Sequence, residues 1–188
     1  AGGNRGPSAP APGLTPRNHD EDPPLSKPAI DRVLFVGSKD RGLRCLQTLL
    51  RLEPASLCGI VTIDDSGDSR GALEGYRQTA REHGLPLVVA TDRRHSEQAI
   101  LSFAPQLCLV DGWYWLLGRS LLAAVPHGFI GIHPSLLPRY RGAAPLVWSI
   151  INGDRVTGVS FFTLAPEMDE GDIWAQETVT VEDDDYIA

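Results

Sequence analysis

Three observations predict an α/β fold for this chain, with a mostly parallel twisted sheet, helices on both faces and antiparallel closing strands. Short apolar runs alternate with stretches of helical periodicity, and the runs lack polar alternation, as strands buried on both faces do. The last two runs follow one another through a short connection, which favours antiparallel pairing. Alternation of this kind feeds right-handed crossovers between parallel strands.

The elements follow in chain order. Residues 31–36 form an apolar run closed by Gly37-Ser38-Lys39-Asp40, after which Leu43, Leu46, Leu49 and Leu50 recur at helical spacing. That pattern reads as strand, turn and helix. Residues 57–63 give the next strand and 71–83 the next helix, then a short strand at 87–89, a helix at 97–103 and a strand at 107–110. Residues 129–133 continue the series as a strand, 144–151 read as a helix, and 156–163 with 173–181 are the closing strands.

At 188 residues the chain fits one compact domain with a sizeable core. Its formal charge of -7 lies outside the first thirty residues, where Arg5, Arg17 and Lys27 balance Asp20, Glu21 and Asp22. An acidic body argues against a broad nucleic-acid footprint. Cys45, Cys58 and Cys108 stand in apolar stretches without paired spacing or neighbouring histidines, the pattern of core thiols in a reducing compartment, and no metal is expected. No apolar run is long enough to span a bilayer, so a cytoplasmic protein without membrane contact is expected. Residues 1–29, rich in Pro, Gly and Ala, read as a disordered leader or linker, and 30–188 as the folded domain. The acidic run at 182–185 resembles a helix start, so a further domain is expected after Ala188.

The turn Gly37-Ser38-Lys39-Asp40-Arg41-Gly42 is not G-x-G-x-x-G, and Leu43-Arg44 stands where a P-loop needs Lys and Ser or Thr. It reads first as a glycine-permitted turn into a helix and second as an anion site at that helix start. Asp64-Asp65-Ser66-Gly67-Asp68 reads as a solvated turn. His133 ends a strand just before Pro134, in a stretch broken by Pro138, Gly142 and Pro145, where a structural role and proton transfer are both open. Asp169 lies in a second acidic, glycine-containing loop. Val110-Asp111-Gly112, His133 and the loop 164–172 all follow strands and can meet at the carboxyl end of the sheet, where ligands of such folds bind.

Taken together, these residues carry a resemblance. Gly131-Ile132-His133-Pro134-Ser135-Leu136-Leu137-Pro138-Arg139-Tyr140-Arg141-Gly142-Ala143-Ala144-Pro145, then Asn152-Gly153-Asp154, Thr157-Gly158-Val159 and Met168-Asp169-Glu170-Gly171-Asp172, resemble the folate-dependent formyltransferases, most of all the N-terminal domain of methionyl-tRNA formyltransferase. The resemblance implies a Rossmann-like domain of one-carbon metabolism that uses 10-formyltetrahydrofolate as formyl donor and an amine as acceptor. His133 and Asp169 match the family's catalytic histidine and aspartate. Gly131 stands at the position of the family asparagine, whose amide helps hold the formyl oxygen as it becomes an oxyanion. Loss of one such donor costs about 10²–10³ in rate in a protease, unless a backbone N–H or a water replaces it.

The same resemblance assigns Val110, Gly112, Trp113, Tyr114, Leu164, Glu167, Asp169 and Asp172 to the folate site, although Trp113 and Trp115 also suit plain core packing. Arg139 and Arg141 are candidates for an anionic acceptor or the folate glutamate tail, or else exposed surface charge. A cis Leu137-Pro138 bond is a further family feature. The leading expectation is N-formylation of a small amine or hydroxylamine, such as an amino sugar or a modified amino acid. Two alternatives stand beside it: methionyl-tRNA formyltransferase, with a C-terminal domain supplying the tRNA contacts, and a catalytically inactive domain that binds folate or a partner.

Overall fold

The computed structural model describes residues 30–182 and 184–186, so the expected leader at 1–29 lies outside the described residues. Among the described residues seven strands form one sheet in the order β3-β2-β1-β4-β5-β6-β7. They are β1 (Val33–Gly37), β2 (Leu57–Ile63), β3 (Leu87–Ala90), β4 (Leu107–Asp111), β5 (Phe129–His133), β6 (Val156–Thr163) and β7 (Ile173–Thr180). The first five pair parallel with one another; β6 pairs antiparallel with both β5 and β7. The helices are α1 (Lys39–Leu52), α2 (Leu73–His83), α3 (Arg93–Ser102), α4 (Arg119–Ala124) and α5 (Pro145–Ile151).

Burial on both faces explains why the strand sequences lack alternation. On one face Val33, Phe35 and Ile60 pack with Leu43, Leu46 and Leu50 of α1 and with Tyr76 and Ala80 of α2. Their neighbours along the strands, Leu34, Val36, Val61, Cys108, Val110 and Phe129, turn to the other face and pack with Ala99 and Ile100 of α3 and Leu121 of α4. The thiols pack as expected: Cys108 is fully buried, and burial pushes the half-buried Cys45 up to about 11, leaving it unreactive at neutral pH. Among the described residues no helix is long and apolar enough to cross a membrane.

Three expectations need correction. Helix α3 starts at Arg93 rather than 97, because the Asp92 carboxylate caps it by accepting the His95 N–H at 2.8 Å. The six-residue α4 lies in a stretch given no element, being too short to show a period. The acidic run does not open a helix at its described positions. Asp185 instead closes a turn, its N–H donating to Glu182 O at 3.2 Å and its carboxylate accepting the Glu182 N–H at 2.9 Å.

Strand β1 lies between β2 and β4, so the chain reverses its direction of travel across the sheet between β1 and β4. Crevices of doubly wound sheets open at such a point, beyond the carboxyl ends of the strands. Gly112 makes the junction: its φ is +67°, and a Cβ there would lie 2.5 Å from the Ser38 carbonyl oxygen. The Ser38 N–H reaches back to Asp111 O at 3.2 Å, joining the two strand ends.

Candidate active site

A cavity of about 860 Å³ opens at the carboxyl ends of β1, β4 and β5 and is bordered by the loop that follows β6. Val110, Gly112, Trp113, Tyr114, Gly131, His133, Leu164, Glu167 and Asp169 all line it, so most of the expected site residues meet there. Asp172 does not; it is exposed, and its carbonyl accepts the Thr163 N–H beside the β6 end. Arg139 and Arg141 also lie off the cavity wall. Arg139 is paired with Asp154 at 2.9 Å and Arg141 with Glu170 at 2.8 Å.

His133 ends β5 with its side chain only about one-tenth exposed. Its Nε2 lies 2.9 Å from the Tyr140 carbonyl oxygen. A carbonyl only accepts, so Nε2 carries the hydrogen and Nδ1 of the neutral ring carries the lone pair. Nδ1 faces Asp169 Oδ2 at 3.6 Å, longer than a hydrogen bond, and only a protonated ring presents a donor to that carboxylate. The same Oδ2 accepts the Gly142 N–H at 2.8 Å, which ties the Asp169 loop to the loop after His133. Both loops need left-handed backbone, with φ of +55° at Tyr140, +54° at Ala144 and +53° at Asp169. Strain of this kind persists only where surrounding contacts over-determine it.

Those contacts are visible between the loop and the closing strands. The buried Ser160 hydroxyl of β6 donates to Ser135 O at 2.6 Å and accepts the Leu137 N–H at 3.0 Å. Gln176 of β7 donates from Nε2 to that hydroxyl at 2.8 Å and to Leu137 O at 2.9 Å. Ser135 in turn donates to Arg139 O at 2.6 Å, and the Leu137-Pro138 bond within the loop is cis.

Gly131 sits opposite Phe162 across the β5–β6 pair. A Cβ at 131 would lie 2.6 Å from Leu164 Cδ2 and 2.9 Å from the Phe162 ring. The fully buried Phe162 ring also meets the His133 imidazole edge-on, with centroids 6.3 Å apart. The space into which a side chain at 131 would project is therefore filled by Phe162 and Leu164. Trp113 and Trp115 meet edge-on at 5.4 Å and pack against the α3–α4 core, so both line the cavity and serve the core.

Lys39 and Arg41, from the turn read second as an anion site, border the same cavity, as does Arg70, which was not singled out. The loop 64–68 is more than a solvated turn. Asp65 is buried because its carboxylate accepts the N–H groups of Lys39, Ala72 and Leu73 at 2.8, 3.1 and 3.1 Å. Asp68 binds Lys39 Nζ at 2.9 Å, Arg70 at 3.1 Å and the Tyr114 hydroxyl at 3.2 Å; these partners hold its carboxyl well below the usual range, the Arg70 hydrogen bonds most of all. The guanidinium of Arg41 is bonded to the buried Asp111, whose carboxyl burial pushes up in spite of that partner. Composition alone hides these roles, because Lys39, Tyr114 and Arg41 reach these acids from distant parts of the chain.

Residues 77–187 match the profile of a family described as Formyl transferase. The chain is similar to methionyl-tRNA formyltransferase of Geotalea daltonii, 33% identical over 159 residues that cover 82% of this chain and 51% of the relative. It is also similar to that of Desulfotalea psychrophila, 35% identical over 153 residues covering 79% and 47%. The chain thus spans about half the length of the curated relatives it matches. Among solved structures, glycinamide ribonucleotide transformylase 1 from Symbiobacterium toebii superposes with a TM-score of 0.67 at 25% identity, covering 84% of this chain and 76% of that one.

Proposed function

The chain belongs to the formyl transferase family, and from that premise we propose that its cavity transfers a formyl group from 10-formyltetrahydrofolate to the amine of an acceptor. The observation that carries the proposal is the convergence of His133 and Asp169, from loops that follow different strands, on one cavity with an aromatic wall. Its size falls within the roughly 300–1,000 Å³ typical of cofactor-sized ligands. Val110, Trp113, Tyr114 and Leu164 suit a flat ring system, and Gly112 lets backbone approach closely without a side chain.

When bound, 10-formyltetrahydrofolate supplies the formyl carbon that the acceptor amine attacks. His133 is held with Nε2–H on Tyr140 O, so its Nδ1 lone pair is the atom that takes a proton and later returns it. Asp169 stabilises the ring while it is charged, its carboxylate fixed by the Gly142 N–H. Gly131 brings no side-chain donor to the negative charge that develops on the transferred carbonyl oxygen, so the protonated His133 has the larger share of that stabilisation.

The acidic balance of -7 favours a small acceptor, an amino sugar or a modified amino acid, over a nucleic acid. A second reading, methionyl-tRNA as acceptor, is favoured by the identity to methionyl-tRNA formyltransferases. The test is release of tetrahydrofolate from 10-formyltetrahydrofolate in the presence of a panel of small amines and of methionyl-tRNA. His133→Ala and Asp169→Asn should each lower the rate by about 10²–10⁴-fold. Full activity in both variants would place the chemistry elsewhere, and folate binding without release by any acceptor would make this a non-catalytic folate-binding domain.

A further inference from the structure

Asn152-Gly153-Asp154 carries part of the sequence resemblance, yet none of its residues borders the cavity. Resting on the formyl-transfer reading of the site, we infer that Asp154 is a positioning residue for His133, acting through Tyr140 from outside the cavity. Its side chain is 16% exposed, and its Oδ2 accepts the Tyr140 hydroxyl at 2.6 Å. Arg139 Nη2 donates to both carboxylate oxygens at 2.9 Å. Asn152 Nδ2 donates to the Tyr140 hydroxyl at 3.0 Å, so that hydroxyl both gives and receives a hydrogen bond. These partners hold the Asp154 carboxyl below the usual range, the Tyr140 hydrogen bond foremost.

The anchor belongs to the end of α5. The Gly153 N–H donates to Ile150 O at 2.9 Å and the Asp154 N–H to Ser149 O at 3.0 Å. What the anchor restrains is Tyr140, whose φ of +55° is unfavourable for a bulky residue and whose carbonyl is the partner of His133 Nε2. Relaxation to a negative φ would turn the peptide unit and carry that carbonyl away from the imidazole. The phenol, held at its far end by Asp154 and Asn152, opposes this.

Two residues further on, the Gly142 N–H holds Asp169 Oδ2 at 2.8 Å. One short segment, 140–142, therefore fixes both members of the His133–Asp169 pair, and Asp154 ties that segment to α5. An imidazole whose ring N–H sits on a main-chain carbonyl has its tautomer set by backbone position, so the side chains that fix the backbone control it. Arg139 completes the clamp, with its guanidinium 5.2 Å from the Tyr140 ring centre and its carbonyl accepting the Ser135 hydroxyl at 2.6 Å. The cation that the sequence offers to an anionic ligand serves the loop instead. A half-exposed ion pair adds little stability by itself, whereas misplacing a reacting group by about 1 Å costs on the order of 10² in rate.

The experiment uses the intact chain with ¹⁵N-labelled histidines, as wild type and as Tyr140→Phe, Asp154→Ala and Asp154→Asn. The spectrum needs neither donor nor acceptor. His133 is identified among the five histidines by its loss in His133→Ala, and the wild type should show a protonated Nε2 and a bare Nδ1 at a pH where the ring is neutral. In Tyr140→Phe and Asp154→Ala the two ¹⁵N shifts should move towards each other as both tautomers are sampled. Asp154→Asn keeps an acceptor for the hydroxyl and should stay near the wild type. In turnover the first two variants should lower kcat about 10–10²-fold with KM for 10-formyltetrahydrofolate changed less than about twofold, and Asp154→Asn should recover most of the rate. If Asp154→Ala does not fold, Tyr140→Phe gives the same readings with the Arg139–Asp154 pair left in place.

A wild-type His133 spectrum in Tyr140→Phe and Asp154→Ala overturns the inference. So does an altered spectrum with unchanged kcat, or with equal losses in kcat and donor affinity. A shifted tautomer in the variants, with no acceptor formylated even by the wild type, would leave Asp154 as the residue that positions His133 and remove the formyl-transfer reading instead.

Discussion

Gly131 ties the chemistry of the site to its packing. Restoring a family-like asparagine there would supply a missing donor only if the side chain had room, and Leu164 Cδ2 and the Phe162 ring stand 2.6 and 2.9 Å from its Cβ position. Leu164 is half-buried and can swing its terminal methyl aside. Phe162 cannot, being fully buried and in edge contact with His133. Gly131→Asn should therefore destabilise the fold by about 1–3 kcal/mol through overpacking. It should also lower turnover about 10–10²-fold, by pushing the ring against His133. Gly131→Asn/Leu164→Ala removes the nearest clash and should recover part of both losses. Urea midpoints and tetrahydrofolate release on the three proteins check this, and a gain in rate from the single variant would mean that the site lacks only a donor.

At the scale of elements, the loop after His133 depends on the two closing strands. Ser160 uses all its hydrogen-bonding capacity, donating to Ser135 O and accepting from Leu137 N and Gln176 Nε2. Ser160→Ala would leave Ser135 O and the Leu137 N–H without their present partner in a buried place. The expected cost is about 1–3 kcal/mol, with turnover falling more than donor affinity because His133 shares the loop. Equal losses in kcat and donor affinity would show that the network shapes the whole cavity instead. None of this was legible in the sequence, since a serine on a strand gives no sign of its partner across the sheet. The alternating elements were legible, because burial on both faces writes itself as apolar runs; strands at 57–63, 129–133 and 156–163 stand where periodicity puts them. His133 at a strand end and Asp169 in a loop after a strand could be singled out, whereas the pairing of Arg41 with Asp111 depends on a switch point that only the strand order reveals.

For the molecule as a whole, the sheet separates two cores, and the candidate site lies at its carboxyl edge. Ile60 is fully buried in the α1–α2 core, and Ile100 is fully buried in the α3–α4 core. Because the strands stand between them and neither core cluster contains the other residue, the two side chains share no packing partner whose movement could couple them. Ile60→Val and Ile100→Val should each cost about 0.5–1.5 kcal/mol. Together they should add to within about 0.5 kcal/mol. The denaturant dependence m should be unchanged, since a single cooperative domain exposes the same surface on unfolding. Turnover should also be unchanged, because the edge that carries His133 is fixed by the Ser160 network rather than by either core alone. A coupling well above 0.5 kcal/mol in urea unfolding would show that strain crosses the sheet. In that case the cavity wall at Arg41 and the aromatic wall near His133 could not be altered independently, and a substitution on one face of the sheet would shift the other.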